Sequence, residues 1–279
     1  MQVHSVKSTD GLSLHVREWG EPTAPPILFV HGWSQNHLCW HRQYESALAR
    51  EFRLVAFDLR GHGMSDAPQE PEHYTQAHLW ADDVAAMITA LNLDDPILVG
   101  WSYGGLVICD YLRVYGDEAL AGVNLAGAAV TLTPSAFGTL IGSVFVDIAT
   151  GGAADDLPTN ITAIRRLVHD LTAEPMPPED HELALCWSMP VSAPIRGALT
   201  AREVDSDAAL AAMSKSVLVS HGEEDRIVLP AMAEHALATC PTATPAWYTN
   251  TGHAPFLEAP ERFNRELAAF AKRCQAGGT

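Results

Sequence analysis

The chain has 279 residues, 47% of them hydrophobic and 18% charged, which is the composition of a globular protein able to bury a sizeable core. A formal net charge of −17 sets aside nucleic acid and anionic membrane surfaces as partners, because both repel an acidic protein. There is no secretory-type apolar run after Met1, no apolar stretch of about eighteen residues and no Cys-x-x-Cys pair among five cysteines, so a soluble cytoplasmic protein with reduced thiols is expected.

In chain order, residues 2–19 alternate around Thr9-Asp10-Gly11, with Leu12, Leu14 and Val16 on one face, and read as a hairpin. Ile27-Leu28-Phe29-Val30 is a continuous apolar run fit for a buried parallel strand, and it ends in His31-Gly32-Trp33-Ser34. A helical pattern through Trp40, Tyr44 and Leu48 follows, then a strand over 52–57 and a turn from Asp58 to Asp66. Residues 76–91 predict an amphipathic helix with Leu79, Val84, Met87, Ile88 and Leu91 on one face. Ile97-Leu98-Val99 leads into Gly100-Trp101-Ser102-Tyr103-Gly104 and a buried helix, and 119–129 reads as the next strand.

From 131 to 206 the alternation breaks. Helix-like segments over 134–149, 158–172, 179–189 and 194–203 are separated by Gly151-Gly152 and Pro175-Met176-Pro177-Pro178. Strand character returns at 216–220, a helix at 230–239, a last strand at 246–249 and a closing helix at 260–273. This rhythm predicts a doubly wound, mostly parallel eight-stranded sheet, with 1–130 and 207–279 forming the core. Residues 131–206 are then a helical cap inserted after the sixth strand, over the carboxyl edge where such sheets carry their sites.

The chemistry is carried by a strand, a sharp Gly-x-Ser-x-Gly turn and a helix, the context that exposes a serine nucleophile. A free serine hydroxyl is a poor nucleophile and needs a base. His253 follows the last predicted strand, in Thr251-Gly252-His253-Ala254-Pro255-Phe256. Asp225 follows the strand after the insertion and can orient that imidazole, although Glu223 and Glu224 beside it offer the same carboxylate. Ser102, Asp225, His253 is the chain order expected of a hydrolase triad on this topology.

Five stretches, His31-Gly32-Trp33, Asp58-Leu59-Arg60-Gly61-His62-Gly63-Met64-Ser65-Asp66, Gly100-Trp101-Ser102-Tyr103-Gly104-Gly105, Gly222-Glu223-Glu224-Asp225 and Gly252-His253-Ala254-Pro255-Phe256, together resemble the α/β-hydrolase superfamily. Within it the chain looks like the small lidded serine esterases. The elbow and the His253 stretch resemble pimeloyl-carrier-protein methyl ester esterases and acyl-homoserine lactonases, and much of the rest resembles cofactor-free haloperoxidase-type esterases. The resemblance runs from about residue 10 to 272 and is weakest in the insertion. It favours Asp225 over the two glutamates. It also implies an oxyanion hole from the backbone N–H groups of Trp33 and Tyr103, whose side chains would wall the acyl pocket. Haloalkane dehalogenases and epoxide hydrolases of this fold place Asp at the elbow, where this chain has Ser102.

The expected function is therefore hydrolysis of small-molecule carboxylic esters of small to medium apolar acids, with no cofactor and no metal. A lactonase or a carbon–carbon bond hydrolase would use the same triad, and a slow-turnover ligand receptor is the alternative of a different class. The insertion is rich in apolar side chains, among them Phe137, Leu140, Ile141, Val144, Phe145, Leu167, Val168, Leu183, Leu185, Trp187 and Met189. A small cap cannot bury all of these within itself, so some, with Phe145 and Trp187 put forward, should face Ser102 and bind substrate. His37, Cys39 and His41 stand at alternate positions but have no further paired ligands, and read as the start of a helix rather than a metal site. His62, between two glycines, reads as structural.

Overall fold

Eight strands form one sheet: β1 (Gln2–Lys7), β2 (Ser13–Trp19), β3 (Pro26–Val30), β4 (Arg53–Phe57), β5 (Ile97–Trp101), β6 (Gly122–Ala126), β7 (Ser216–Gly222) and β8 (Ala243–Tyr248). The structure is a computed structural model and describes residues 1–276. The strands lie in the order β1-β2-β4-β3-β5-β6-β7-β8. β2 runs antiparallel to both its neighbours, and every other pairing is parallel. Strands β3 to β6 are buried at every position, which is why their sequences are continuous apolar runs rather than alternations. β2 buries Leu14, Val16 and Glu18 in strict alternation, as its hairpin pattern predicts.

The principal helices are α1 (Ala77–Ala90), α2 (Tyr103–Tyr115), α3 (Ser143–Gly152), α4 (Leu157–Asp170), α5 (Pro178–Ser188), α6 (Ala193–Thr200), α7 (Pro230–Thr239) and α8 (Pro260–Ala276). Helices α3 to α6 all fall between β6 and β7. The chain leaves and rejoins the sheet layer at one place, where Leu132 and Val204 form an antiparallel bridge with bonds of 2.7 and 2.9 Å.

Chain order reverses across β3, which has β4 on one side and β5 on the other, and α/β sheets open their crevice at such a point. The register keeps the strand ends level. Val30 lies opposite Gly100 and Trp101 opposite Ala126, so His31-Gly32-Trp33 and Ser102 leave the sheet at the same edge. Gly222 pairs with Tyr248, which brings the segments after β7 and β8 side by side.

Two expected helices are not continuous. The pattern through Trp40, Tyr44 and Leu48 folds as three short turns, His37–Trp40, His41–Tyr44 and Leu48–Glu51. Residues 134–149 hold a 3₁₀ turn, Pro134–Ala136, and become helical only at Ser143. The intervening backbone is used elsewhere: Gly138 adopts φ +80°, Gly142 N–H donates to Ile227 O at 2.9 Å, and Leu140 O accepts from Leu229 N–H at 2.9 Å. A segment whose amides pair across the fold cannot also pair within a helix. The sixth strand is shorter than the apolar run 119–129, and the eighth begins at Ala243, earlier than its apolar residues suggest.

Candidate active site

Ser102 sits between β5 and α2 with φ 55° and ψ −119°. A non-glycine residue in that region carries about 1–3 kcal/mol of strain, held here by the packing around it. A Cβ on Gly104 would stand 2.2 Å from Val30 O, so the first turn of α2 presses directly on β3. Gly32 is also tight, though less so, since a Cβ there would meet the Ser102 Cβ at 3.0 Å. The loop after β3 therefore lies against the serine. Tyr103 opens α2, and its N–H is one of those a helix leaves without an internal acceptor.

Asp225 and His253 meet across the ends of β7 and β8. The His253 Nδ1–H donates to Asp225 Oδ2 at 2.7 Å, and Asp225 Oδ1 accepts from the N–H groups of Ile227 and Val228, both at 2.9 Å. Asp225 and His253 are buried, whereas Glu223 and Glu224 are exposed. The Trp101 ring lies 5.6 Å from the imidazole and its Nε1–H donates to His253 O at 2.9 Å, which holds the loop from the elbow side.

Ser102 and His253 face one narrow cavity, lined also by Gly32, Trp33, Trp101, Phe145 and Leu167. A second lobe behind Ser102 is apolar, walled by Tyr103, Leu106, Ala129, Leu132, Ile141, Phe145, Ile227 and Val228. The lobes have volumes of about 10 and about 20 Å³, room for about one water molecule each. Of the expected substrate residues, Trp33, Tyr103 and Phe145 line this space, with Phe145 edge-on to Trp33 at 5.5 Å. Burial pushes the Tyr103 phenol up to about 12, and its hydroxyl is engaged with Leu199 O and Arg202.

Trp187 does not line the cavity. Its indole N–H donates to Gln35 Oε1 at 2.6 Å and its ring packs 5.7 Å from His41, so it reaches the site only through Gln35. Helix α5 turns this residue toward the first turns after β3, and its neighbour Leu183 toward solvent at 39% exposure. The expectation for Trp187 as a substrate contact is corrected accordingly.

A family profile described as "Alpha/beta hydrolase family" matches residues 27–266. The chain belongs to that family. A relative, the AB hydrolase superfamily protein YisY of Bacillus subtilis, is 30% identical over 275 residues, covering 96% of this chain and 98% of its own. Among solved structures, the esterase RhEst1 from Rhodococcus sp. superposes with TM-score 0.91 at 36% identity, covering 98% of this chain and 99% of its own. A provisionally named aryl esterase from Burkholderia cenocepacia gives TM-score 0.93 at 32% identity, covering 99% of this chain and 100% of its own.

Sequence reasoning passed over two side chains of this alpha/beta hydrolase that bear on the site. Arg196, on α6, is buried under the loop after β3. It donates to Ser34 Oγ at 2.8 Å, Ser188 O at 2.9 Å and Asn160 Oδ1 at 2.8 Å, with its guanidinium 5.9 Å from the Trp33 ring. Burial lowers its pKa to about 10, which leaves it cationic at neutral pH. Glu258, one turn past His253, accepts from Gly252 N–H and from Ala173 N–H. An isolated Arg in an insertion and a Glu near a chain end carry no local signal; each has a partner distant in sequence, Ser34 for Arg196 and Ala173 for Glu258.

The hydrolase also holds a second histidine–aspartate pair. His37 Nδ1–H donates to Asp58 Oδ1 at 2.7 Å, and the ligand atoms of His15, His37 and Asp58 lie within 4.8 Å of one another. Arg17 donates to His15 Nε2 at 3.1 Å, which occupies one of the two nitrogens of that imidazole. Cys39 is buried beside them and His41 turns away toward Trp187, so the alternate spacing does not make one ligand set.

Proposed function

We propose that this hydrolase is a serine carboxylic ester hydrolase acting on small-molecule esters of small to medium apolar acids through an acyl-serine. Ser102 Oγ attacks the ester carbonyl carbon while His253 Nε2 takes its proton. The carbonyl oxygen, now anionic, is held by the N–H groups of Trp33 and Tyr103. The intermediate collapses, the alcohol leaves with the proton from His253, and water repeats the sequence on the acyl-serine. Asp225 keeps the proton on Nδ1 so that Nε2 is free to act. Such oxyanion donors each contribute about 2.7–4 kcal/mol to lowering the barrier.

The observation that carries this reading is the 2.7 Å bond from His253 to the buried Asp225, facing the same cavity as an elbow serine at φ 55°. The apolar second lobe supports an apolar acyl group. We also take residues 131–206 as the cap, because Phe145 and Leu167 roof the cavity from helices α3 and α4. A Ser rather than an Asp at the elbow separates the chain from the carboxylate nucleophiles of dehalogenases and epoxide hydrolases on this fold.

A fluorophosphonate probe should add to the peptide containing Ser102 and abolish hydrolysis of p-nitrophenyl acetate and butyrate, and Ser102→Ala should lose both. An adduct elsewhere with an active Ser102→Ala enzyme overturns the mechanism. Turnover of lactones but not of open-chain esters would keep the residues and replace the substrate class.

A further inference from the structure

The loop that carries His253 is tied to the insertion by a single carboxylate. Glu258 Oε1 accepts from Gly252 N–H at 2.7 Å, the residue directly before the imidazole. Glu258 Oε2 accepts from Ala173 N–H at 2.8 Å, in the segment that follows α4. The two backbones are in contact there: a Cβ on Gly252 would lie 2.7 Å from Ala173 N and 2.9 Å from Thr172 C. On the other side, a Cβ on Gly222 would lie 2.0 Å from Gly252 O. The end of β7, the histidine loop and the insertion are thus stacked backbone on backbone, and Glu258 satisfies an N–H from the middle layer, the histidine loop, and one from the insertion.

We propose that Glu258 is a positioning residue: its ionised carboxylate clamps the His253 loop to the segment after α4, so imidazole placement and seating of the insertion are set by one side chain. The proposal rests on the reading of His253 as the base.

Two N–H donors require two acceptor oxygens, which a carboxylate supplies. A protonated acid turns one oxygen into a donor, opposite a donor, and that tie weakens. Burial, the largest influence, pushes Glu258 up to about 7, although the N–H donors pull the other way. Asp225, from the end of β7, raises it further. Glu258 lines a cavity of about 480 Å³ separate from the one at Ser102, and around it also lie His41 and Arg42 after β3, Glu174 and Asp180 from the insertion, and Glu261 from α8. Arg42 is committed to Asp180 at 2.7 Å, and Glu258 forms no ion pair among the described residues. That cavity reaches solvent and gives the proton a route.

The sign follows from linkage. A carboxyl raised from 4.5 to about 7 on folding contributes stability that is complete below pH 4.5 and is lost as pH rises through about 7. Ionising the clamp therefore improves positioning while it erodes stability. A residue with only a structural role would move both in the same direction.

The test is kcat/KM from pH 5.5 to 8.5 for wild type and Glu258→Gln, with thermal midpoints alongside. Glutamine is neutral and presents one acceptor and one donor group, so it imitates the protonated clamp. The expected wild-type to variant ratio is about tenfold at pH 8.5, a misplacement well short of 1 Å, closing toward one at pH 5.5 with its midpoint near 7. Glu258→Asp, charged but a methylene too short to reach both N–H groups, should lose about tenfold at pH 8.5 and keeps the proposal testable if the glutamine variant does not fold. A ratio that stays constant across pH, or an aspartate variant equal to wild type at pH 8.5, overturns the clamp. His253→Asn is run in parallel. If it turns over like wild type, the base assignment itself has failed and the clamp falls with it; if it is inactive while the ratio stays flat, the clamp alone is wrong.

Discussion

Asp225 shows how much one carboxylate can be asked to do. One oxygen takes two backbone N–H groups and the other takes the imidazole, so the group is rigid before any substrate arrives. Asp225→Asn keeps the shape, yet an amide NH₂ facing Nδ1 favours the wrong tautomer. The expected loss in kcat is about 10⁴, the size of the corresponding loss in serine proteases, with the fold retained by circular dichroism. Glu223→Gln and Glu224→Gln, both exposed, should stay near wild type. A near-wild-type Asp225→Asn beside a disabled glutamate variant would move the role to the glutamate. The choice among three neighbouring carboxylates was open in the residues alone. Burial resolves their placement, because only the third is turned inward by the bonds to Ile227 and Val228.

At the scale of elements, the insertion separates two aromatic side chains that hydropathy treats alike. Phe145 on α3 roofs the cavity and touches Trp33, whereas Trp187 on α5 is spent on Gln35 and His41. Phe145→Ala should therefore extend the preferred acyl chain of p-nitrophenyl esters, since the roof gains room and each further buried methylene is worth about 0.8 kcal/mol. Trp187→Ala should leave the chain-length profile nearly unchanged and lower stability by about 3–5 kcal/mol, the usual result of emptying a buried aromatic site. Measuring kcat/KM along the series together with urea midpoints tests both at once. A chain-length profile moved by Trp187→Ala and not by Phe145→Ala would reverse the assignment. Space for about one water in each lobe also means that any longer acyl chain needs the insertion to shift first.

Across the whole molecule, the stability of the edge that carries the site depends on histidines that stay neutral. His31 Nε2 accepts from Leu59 N–H at 3.0 Å while its Nδ1–H donates to Gly32 O, and His62 Nε2 accepts from Ser34 N–H at 3.2 Å while its Nδ1–H donates to Arg60 O. A second proton would set donor against donor in both. Burial is the leading cause that lowers them from 6.5, His31 to about 4 and His62 to about 3. Their contribution is complete above pH 6.5 and is lost as pH falls to about 4 for His31 and about 3 for His62, because the unfolded chain takes up protons that the folded one refuses. The pair can steepen acid destabilisation by up to about 2.7 kcal/mol per pH unit, with Glu258 working in the opposite sense. The thermal midpoint should fall between pH 7.5 and 5.5, and the imidazole NMR signals of His31 and His62 should stay neutral at pH 5.5. A midpoint that rises over that interval, or a His62 that titrates near 6.5, would refute this account.

The sequence by itself determined the alternation of strands and helices, the break at 131–206, the elbow at Ser102 and the candidate order Ser102, Asp225, His253. These were legible because each is local: a hydrophobic period, a glycine pattern, a residue next to a strand end. The tertiary structure decided what lay between distant segments. It turned 137–142 from helix into a strip bonded to the Asp225 loop, turned Trp187 away from the cavity, and joined Arg196 to Ser34 and Glu258 to Ala173. The physical reason is common to all four. Backbone amides and buried polar groups must be satisfied somewhere, and a partner across the fold, invisible to any local window, can take precedence over the one that local propensity offers.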